Sequence, residues 1–279
     1  MLGHDVIRAG ERAGFEAVGL ARGELDVTDA GAVELTLRRV QPAVVVNCAA
    51  WTDVDGAETH RDQAAAVNAA GAGNLARAAA LAGVPLVHVS TDYVFTGEPP
   101  LDGDGAPRPY VESDRTGPRS VYGRTKLEGE LEVLAASSAH TVVRSSWLFG
   151  LDGHNFVATM LRLAGERDSI RVVSDQIGCP TWTGHLAPAL VGLLQREVTG
   201  LVHQAGAGQV SWNGFAVEIF RQAELACTVE PATTAEMARP APRPPWSALQ
   251  SERADVLGIP DWRDGLAGYL AARRAARLG

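Results

Sequence analysis

Lysine is almost missing from this 279-residue chain: Lys126 is the only one, and every other basic side chain is arginine. Basic residues are also outnumbered, 25 against 33 acidic ones, for a formal net charge of −8. That balance, with no basic stripe, argues against nucleic acid or an anionic membrane as a partner. Cysteine is scarce, odd in number and widely spaced, at Cys48, Cys179 and Cys227. Such spacing argues against a disulfide framework and against a clustered metal site, and it fits a reducing, cytoplasmic compartment. No apolar run is long enough to span a bilayer, and the N-terminus has no basic-then-apolar signal pattern. No internal repeat or low-complexity tail breaks the chain. What remains is a globular composition, 46% hydrophobic, with length for one large or two small domains.

The pattern of what is present alternates strands and helices. Leu2, Val6 and Ile7 begin a helix to about Ala13, ended by Gly14. Phe15 to Leu20 is expected as a short strand. Thr28 is expected to cap a helix over Ala30 to Val40, which Pro42 closes. The apolar run Ala43 to Ala50 reads as a strand buried on both faces. An alanine-rich helix over Asp62 to Ala82, a buried strand over Pro85 to Ser90, a helix around Tyr122 and a strand over His140 to Arg144 follow. Alternation of this kind predicts an α/β fold, a Rossmann-like doubly wound parallel sheet. Ligands of such sheets bind beyond the carboxyl ends of the strands, here Asn47 to Trp51, Ser90 to Tyr93 and Arg144 to Trp147. Residues 1–150 are expected as the dinucleotide-binding domain. Residues 151–279 are expected as a smaller, mainly substrate-binding domain, with some segments packing back on the first. Within it the pattern predicts helices over Asn155 to Gly165, Leu186 to Arg196, Trp212 to Leu225 and Arg263 to Arg277. Strands are expected at Ile170 to Val173 and Leu201 to His203, and Ala238 to Pro245 cannot be helix.

The chemistry concentrates in Tyr122-Gly123-Arg124-Thr125-Lys126. Residues four apart on a helix share a face, so the spacing sets an ammonium beside a phenol. An adjacent cation favours the phenolate and lowers its pKa, which readies a tyrosine for proton exchange. Taken alone, Tyr-x-x-x-Lys is more often a surface pair. Ser90-Thr91-Asp92-Tyr93-Val94-Phe95 directly follows a strand, and its hydroxyls are placed either to meet a substrate carbonyl or simply to turn the chain.

Together these stretches resemble the extended short-chain dehydrogenase/reductase family, and within it the reductases of dTDP-4-dehydrorhamnose. The likeness also runs through Asn47-Cys48-Ala49-Ala50-Trp51-Thr52, Val67-Asn68, Arg144-Ser145-Ser146-Trp147, Asn155-Phe156-Val157, Asp175-Gln176, Gly178, Pro180-Thr181 and Arg243-Pro244 with Ser247 and Leu249. It therefore covers nearly the whole chain. It implies reduction of the C4 keto group of dTDP-4-dehydro-L-rhamnose by NADPH or NADH. It makes Tyr122 the proton donor, Lys126 the residue that tunes the phenol and holds the nicotinamide ribose, and Thr91 the third catalytic residue. It places Ala49, Ala50, Trp51 and Val89 along the cofactor cleft, Asp26 and Val27 near adenine, and Thr91, Asp92 and Trp147 against the nucleotide sugar. Arg243 becomes the candidate for the substrate diphosphate, since a guanidinium fork matches phosphate oxygens. Arg22, past the second expected strand, is the candidate for a 2′-phosphate. Magnesium and a homodimer are further possibilities that the resemblance carries.

One departure stands out. The family opens with a strand and a Gly-x-x-Gly-x-x-Gly turn that brings backbone amides to the cofactor pyrophosphate. Here Met1-Leu2-Gly3 matches only the end of that motif, with Gly3 as its last glycine. The N-terminus therefore looks truncated, and weak cofactor binding and low stability are expected of the chain as written. Two other readings stay open: a reductase of another nucleotide 4-keto-6-deoxysugar, and a non-catalytic partner of the same fold, such as the regulatory subunit of methionine adenosyltransferase.

Overall fold

The structure, a computed structural model, describes residues 1–278. Four strands form its central sheet: β1 (Val45–Asn47), β2 (Leu86–Thr91), β3 (Thr141–Ser145) and β4 (Gly200–His203). They lie in the order β1-β2-β3-β4, and every neighbouring pair is parallel. The main helices are α1 (Leu2–Arg12), α2 (Ala30–Val40), α3, α4 (Val121–Ala136), α5 (Phe156–Ala164), α6 (Thr183–Gln195), α7 (Trp212–Ala223) and α8 (Trp262–Leu278). Helix α3 runs as Arg61–Ala65, a π-helical turn Ala66–Gly71, and Ala72–Leu81.

Alternate strand side chains face opposite sides of the sheet, and helices cover both. Val87, Val143 and Val202 pack with Leu2 and Ala9 of α1 and with Leu186 and Leu190 of α6. Leu86 and Val142 face the other way, onto Val33 and Leu37 of α2, Leu75 and Ala79 of α3, and Val133 of α4. Each aliphatic side chain so buried contributes roughly 1.5–3 kcal/mol. A separate core gathers Phe149, Met160, Ile170, Phe215, Ile219, Trp262 and Tyr269 between α5, α7 and α8. It includes a short parallel ladder of Ser169–Val173 with Thr228–Ala232.

Three expectations need correction. Phe15 to Leu20 forms no strand, and Val18 is 58% exposed. A strand is made by its neighbour, and β1 closes the sheet on that side. For the same reason β1 is three residues long and only half-buried at Val45 and Val46, not buried on both faces. Asp29, not Thr28, caps α2: its Oδ1 accepts from the Ala32 amide at 3.0 Å. A carboxylate makes the stronger, charge-assisted cap, and the Thr28 hydroxyl donates to Asp26 instead.

Candidate active site

Helix α4 sets the reactive pair. The Ser120 hydroxyl caps it by accepting from the Gly123 amide at 3.1 Å, so Tyr122 stands in the first turn and Lys126 in the next. The helix lies hard against its neighbours because it carries glycine where they touch. A Cβ on Gly123 would sit 2.2 Å from the Tyr93 carbonyl oxygen, and one on Gly129 would sit 2.1 Å from that of Asn68. Tyr122 thereby meets Tyr93 edge-on, with ring centroids 5.5 Å apart, and like Trp51 packs against the cluster of Ala57, Ala64 and Val121.

The electrostatics of the pair differ from the sequence expectation. Lys126 is 1% exposed. Its Nζ donates to the Val89 carbonyl at 2.7 Å and lies 3.1 Å from His88 Nε2. The long side chain runs under the sheet, and its charge does not set the phenol. Burial pushes Tyr122 up to about 12, with the neighbouring Thr91 side chain acting against it. Burial likewise pushes the Lys126 amine down to about 8. Tyr122 therefore keeps its proton at neutral pH, the form a proton donor needs.

Thr91 and Asp92 close the carboxyl end of β2. The Thr91 hydroxyl donates to Asp92 Oδ1 at 3.0 Å and accepts from the Tyr93 amide at 3.2 Å. Burial raises Asp92 to about 6. Among the described residues, Asp92 Oδ2, Ser90 Oγ and Ser145 Oγ are buried with no hydrogen-bond partner. All three lie at or near the carboxyl ends of β2 and β3. Unsatisfied polar atoms are uncommon inside proteins; by the strand register Ser90 pairs with Arg144 and Ser145 with Thr91, so the two serine hydroxyls face opposite sides of the sheet.

The loop after β1 brings Ala49, Ala50 and Trp51 to the same edge. The Ala49 amide donates to Asn47 Oδ1 at 2.9 Å, and the Trp51 amide donates to Asn68 Oδ1 at 2.8 Å. Asn68 is fully buried in the π-helical turn and also donates to the Thr125 hydroxyl at 3.1 Å. It ties the Trp51 loop to α4, a role that sequence reasoning missed. The available signals were an asparagine inside an alanine-rich helix and the place of Val67-Asn68 among the family-like stretches. His88 was missed as well, since it looks like ordinary strand filling, and Asn47 had no assigned role beyond its place at a strand end.

The remaining candidates are spread along the edge. Asp26 Oδ1 accepts from the Thr28 amide and hydroxyl at 2.9 and 2.8 Å, and the amide bond is the main cause that holds its carboxyl below the usual range. The Val27 carbonyl accepts from Asn74 at 3.1 Å. Arg22 is exposed nearby. Gly3 opens α1; an added Cβ would meet only Cys48, at 3.9 Å, so no protein atom requires glycine there. Trp147 has φ +47°, an uncommon conformation for a bulky residue. Its ring stacks on Trp212 at 3.6 Å. Arg243 does not present a free fork: Nη1 and Nη2 each donate to Asp55, both at 2.9 Å. A cavity of about 560 Å³ lined by His203, Gln204, Leu249 and Gln250 contains none of the predicted site residues.

The magnesium that the resemblance carried has no ligands to match. Among the described residues, no group of three or more His, Cys, Asp or Glu could hold a metal ion. No described helix is long and apolar enough to cross a membrane.

A parallel sheet covered on both faces, with a protonated tyrosine, a buried lysine and a threonine gathered beyond its strands, defines a Rossmann-like oxidoreductase. The family model described as RmlD substrate binding domain matches residues 1–275. The chain belongs to the dTDP-4-dehydrorhamnose reductase family. It is 44% identical over 277 residues to the dTDP-4-dehydrorhamnose reductase of Mycobacterium tuberculosis, covering 97% of this chain and 90% of the relative. A probable dTDP-4,6-dihydroxy-2-methyloxan-3-one 4-ketoreductase of Streptomyces antibioticus is 41% identical, covering 95% and 90%. The crystal structure of dTDP-4-dehydrorhamnose reductase from Bacillus anthracis in complex with NADP superposes with a TM-score of 0.92 at 35% identity, covering 97% of this chain and 95% of that one.

Proposed function

We propose that this protein reduces the C4 keto group of dTDP-4-dehydro-L-rhamnose to dTDP-L-rhamnose with NADPH. The observation that carries the reading is the half-buried Tyr122 on α4, edge-on to Tyr93 at the carboxyl end of β2 with Lys126 on the next turn, in a chain so similar to a reductase of that name. When bound, NADPH supplies the hydride to C4. Tyr122 gives its proton to the oxygen as charge develops there, since an alkoxide is a far stronger base than a phenolate. Thr91 holds that oxygen in line, and such fixed donors stabilise charge as it forms.

In this reading Lys126 meets the nicotinamide ribose. Ala49, Ala50, Trp51 and Val89 line the cofactor cleft, and Asp26 and Val27 lie by adenine. Arg22 faces the 2′-phosphate, and the amides near Gly3 face the pyrophosphate. Thr91, Asp92 and Trp147 contact the sugar. Arg243 exchanges Asp55 for the substrate diphosphate. Residues 151–279 then serve mainly the substrate. The orphaned Asp92 Oδ2, just past β2, supports a polar ligand at that end.

Tyr122→Phe is the direct test. It should lose roughly 10²-fold or more in kcat, with KM little changed. Near-normal turnover would end the proposal, and a wild-type protein inert on every keto sugar would favour the non-catalytic reading. The likeness to the Streptomyces antibioticus ketoreductase supports a second substrate, another dTDP-4-keto-6-deoxysugar. Comparing kcat/KM across a panel of such sugars separates the two.

A further inference from the structure

A hydrogen-bond chain of fixed polarity runs beneath the proposed proton donor. The Ala49 amide can only donate, so the atom 2.9 Å from it is Asn47 Oδ1. Asn47 Nδ2, a donor, then faces His88 Nδ1 at 2.9 Å. That nitrogen must carry the lone pair. His88 is fully buried, and burial together with Lys126 drives its imidazole to the neutral form. A neutral imidazole holds one proton, which is left on Nε2. Nε2 lies 3.1 Å from Lys126 Nζ.

An ammonium there would set donor against donor. A neutral amine would accept from His88 Nε2 with its lone pair and donate to the Val89 carbonyl at 2.7 Å. Turning the Asn47 amide over only moves the conflict to the Ala49 amide. Switching the His88 tautomer moves it to Asn47 Nδ2. No carboxylate relieves it. Glu130, on the same helix, is committed to Arg144 through contacts of 2.7 to 3.2 Å. Cys48, beyond β1, is a thiol that burial pushes up to about 11. Those groups and His88 are the titratable neighbours that act on Lys126, and none is an anion free to pair with it.

We propose that His88, oriented by Asn47, is a positioning residue that presets Lys126 toward the neutral amine in the cofactor-free protein, so that Lys126 takes up a proton when a ribose hydroxyl replaces His88 as its partner. The second half rests on the reading that Lys126 holds the nicotinamide ribose. The first half needs only the protein.

Because Lys126 is the only lysine, ¹⁵N-lysine labelling gives one side-chain resonance, with no assignment problem. In cofactor-free wild type it should titrate well over one pH unit below an ordinary lysine. His88→Gln offers a carbonyl acceptor without adding charge and should raise the midpoint by about one unit or more. A wild-type resonance that stays ammonium to about pH 10, near the ordinary lysine value, overturns the inference, as does an unmoved midpoint in His88→Gln. Should that variant fail to fold, ¹⁵N-histidine spectra of the wild type decide: a proton on His88 Nδ1 sinks the proposal, and one on Nε2 sustains it. Calorimetry of NADPH binding in buffers of different ionisation enthalpy reads the proton uptake. A neutral Lys126 without uptake leaves His88 in its role and removes the ribose contact, while the Tyr122→Phe result bears on catalysis alone.

Discussion

Lys126 shows how a functional side chain can work against the fold that carries it. Burial lowers its pKa from 10.5 to about 8. A lowered folded-state value means that its contribution to stability is fully present above 10.5 and is lost as pH falls through about 8. At neutral pH the folded protein therefore bears a cost on the order of 1–3 kcal/mol relative to the solvated ammonium of the unfolded chain, whether it buries the charge or gives up the proton. Lys126→Met keeps the apolar stem and removes the charge. It should raise stability at pH 7 by about that amount while abolishing turnover, with the gain fading toward pH 10. Urea denaturation at the two pH values checks the sign, and a loss of stability at pH 7 would refute it. None of this was legible from the four-residue spacing. Spacing places Tyr122 and Lys126 on one helix face, but the long side chain follows the strand beneath it to Val89.

At the scale of elements, α4 depends on two close approaches. Alanine is the better helix former by about 1 kcal/mol, so propensity alone predicts that Gly129→Ala stabilises. Contact predicts the reverse, because the new methyl would lie 2.1 Å from the Asn68 carbonyl. Overpacking of this kind costs typically 1–3 kcal/mol, and contact should win. The variant should unfold at lower urea concentration and lose activity as Tyr122 is pushed off its seat; a stabilised, active variant would contradict the packing. That a helix lies around Tyr122 was readable, from the run of helix formers after Lys126; its Ser120 cap was not. Its glycine requirement was not, because the surfaces that impose it lie some 30 and 60 residues earlier, at Tyr93 and Asn68. The strand Thr228–Ala232 escaped for a related reason. Pro231 spoils its pattern, yet proline is tolerated on a strand that is paired along one edge only.

Across the whole molecule, the Asp55–Arg243 pair joins segments 188 residues apart. Arg239 and the Ala241 amide reach the same carboxylate, at 3.2 and 3.1 Å. The side-chain bonds from Arg243 hold Asp55 below the usual carboxylate range. Lysine cannot reproduce a two-pronged contact to carboxylate or diphosphate. Arg243→Lys should therefore raise KM about tenfold with kcat nearly kept, and an unchanged KM would remove Arg243 from the substrate site. The arrangement of the parallel sheet was legible because alternating β-branched runs and helices leave few other solutions. The partner of Arg243 was not, because no local pattern announces a contact between the short helix Val54–Ala57 after the first strand and a proline-rich segment near the end.

The scarcity of lysine also leaves its mark on how this protein can be cut. A protease specific for lysine has one bond to cleave, between Lys126 and Leu127 in the middle of α4. With Lys126 1% exposed, the native chain should survive, and each opening of that helix should release two fragments, 1–126 and 127–279. Loss of the intact band then reports how often the catalytic helix comes apart.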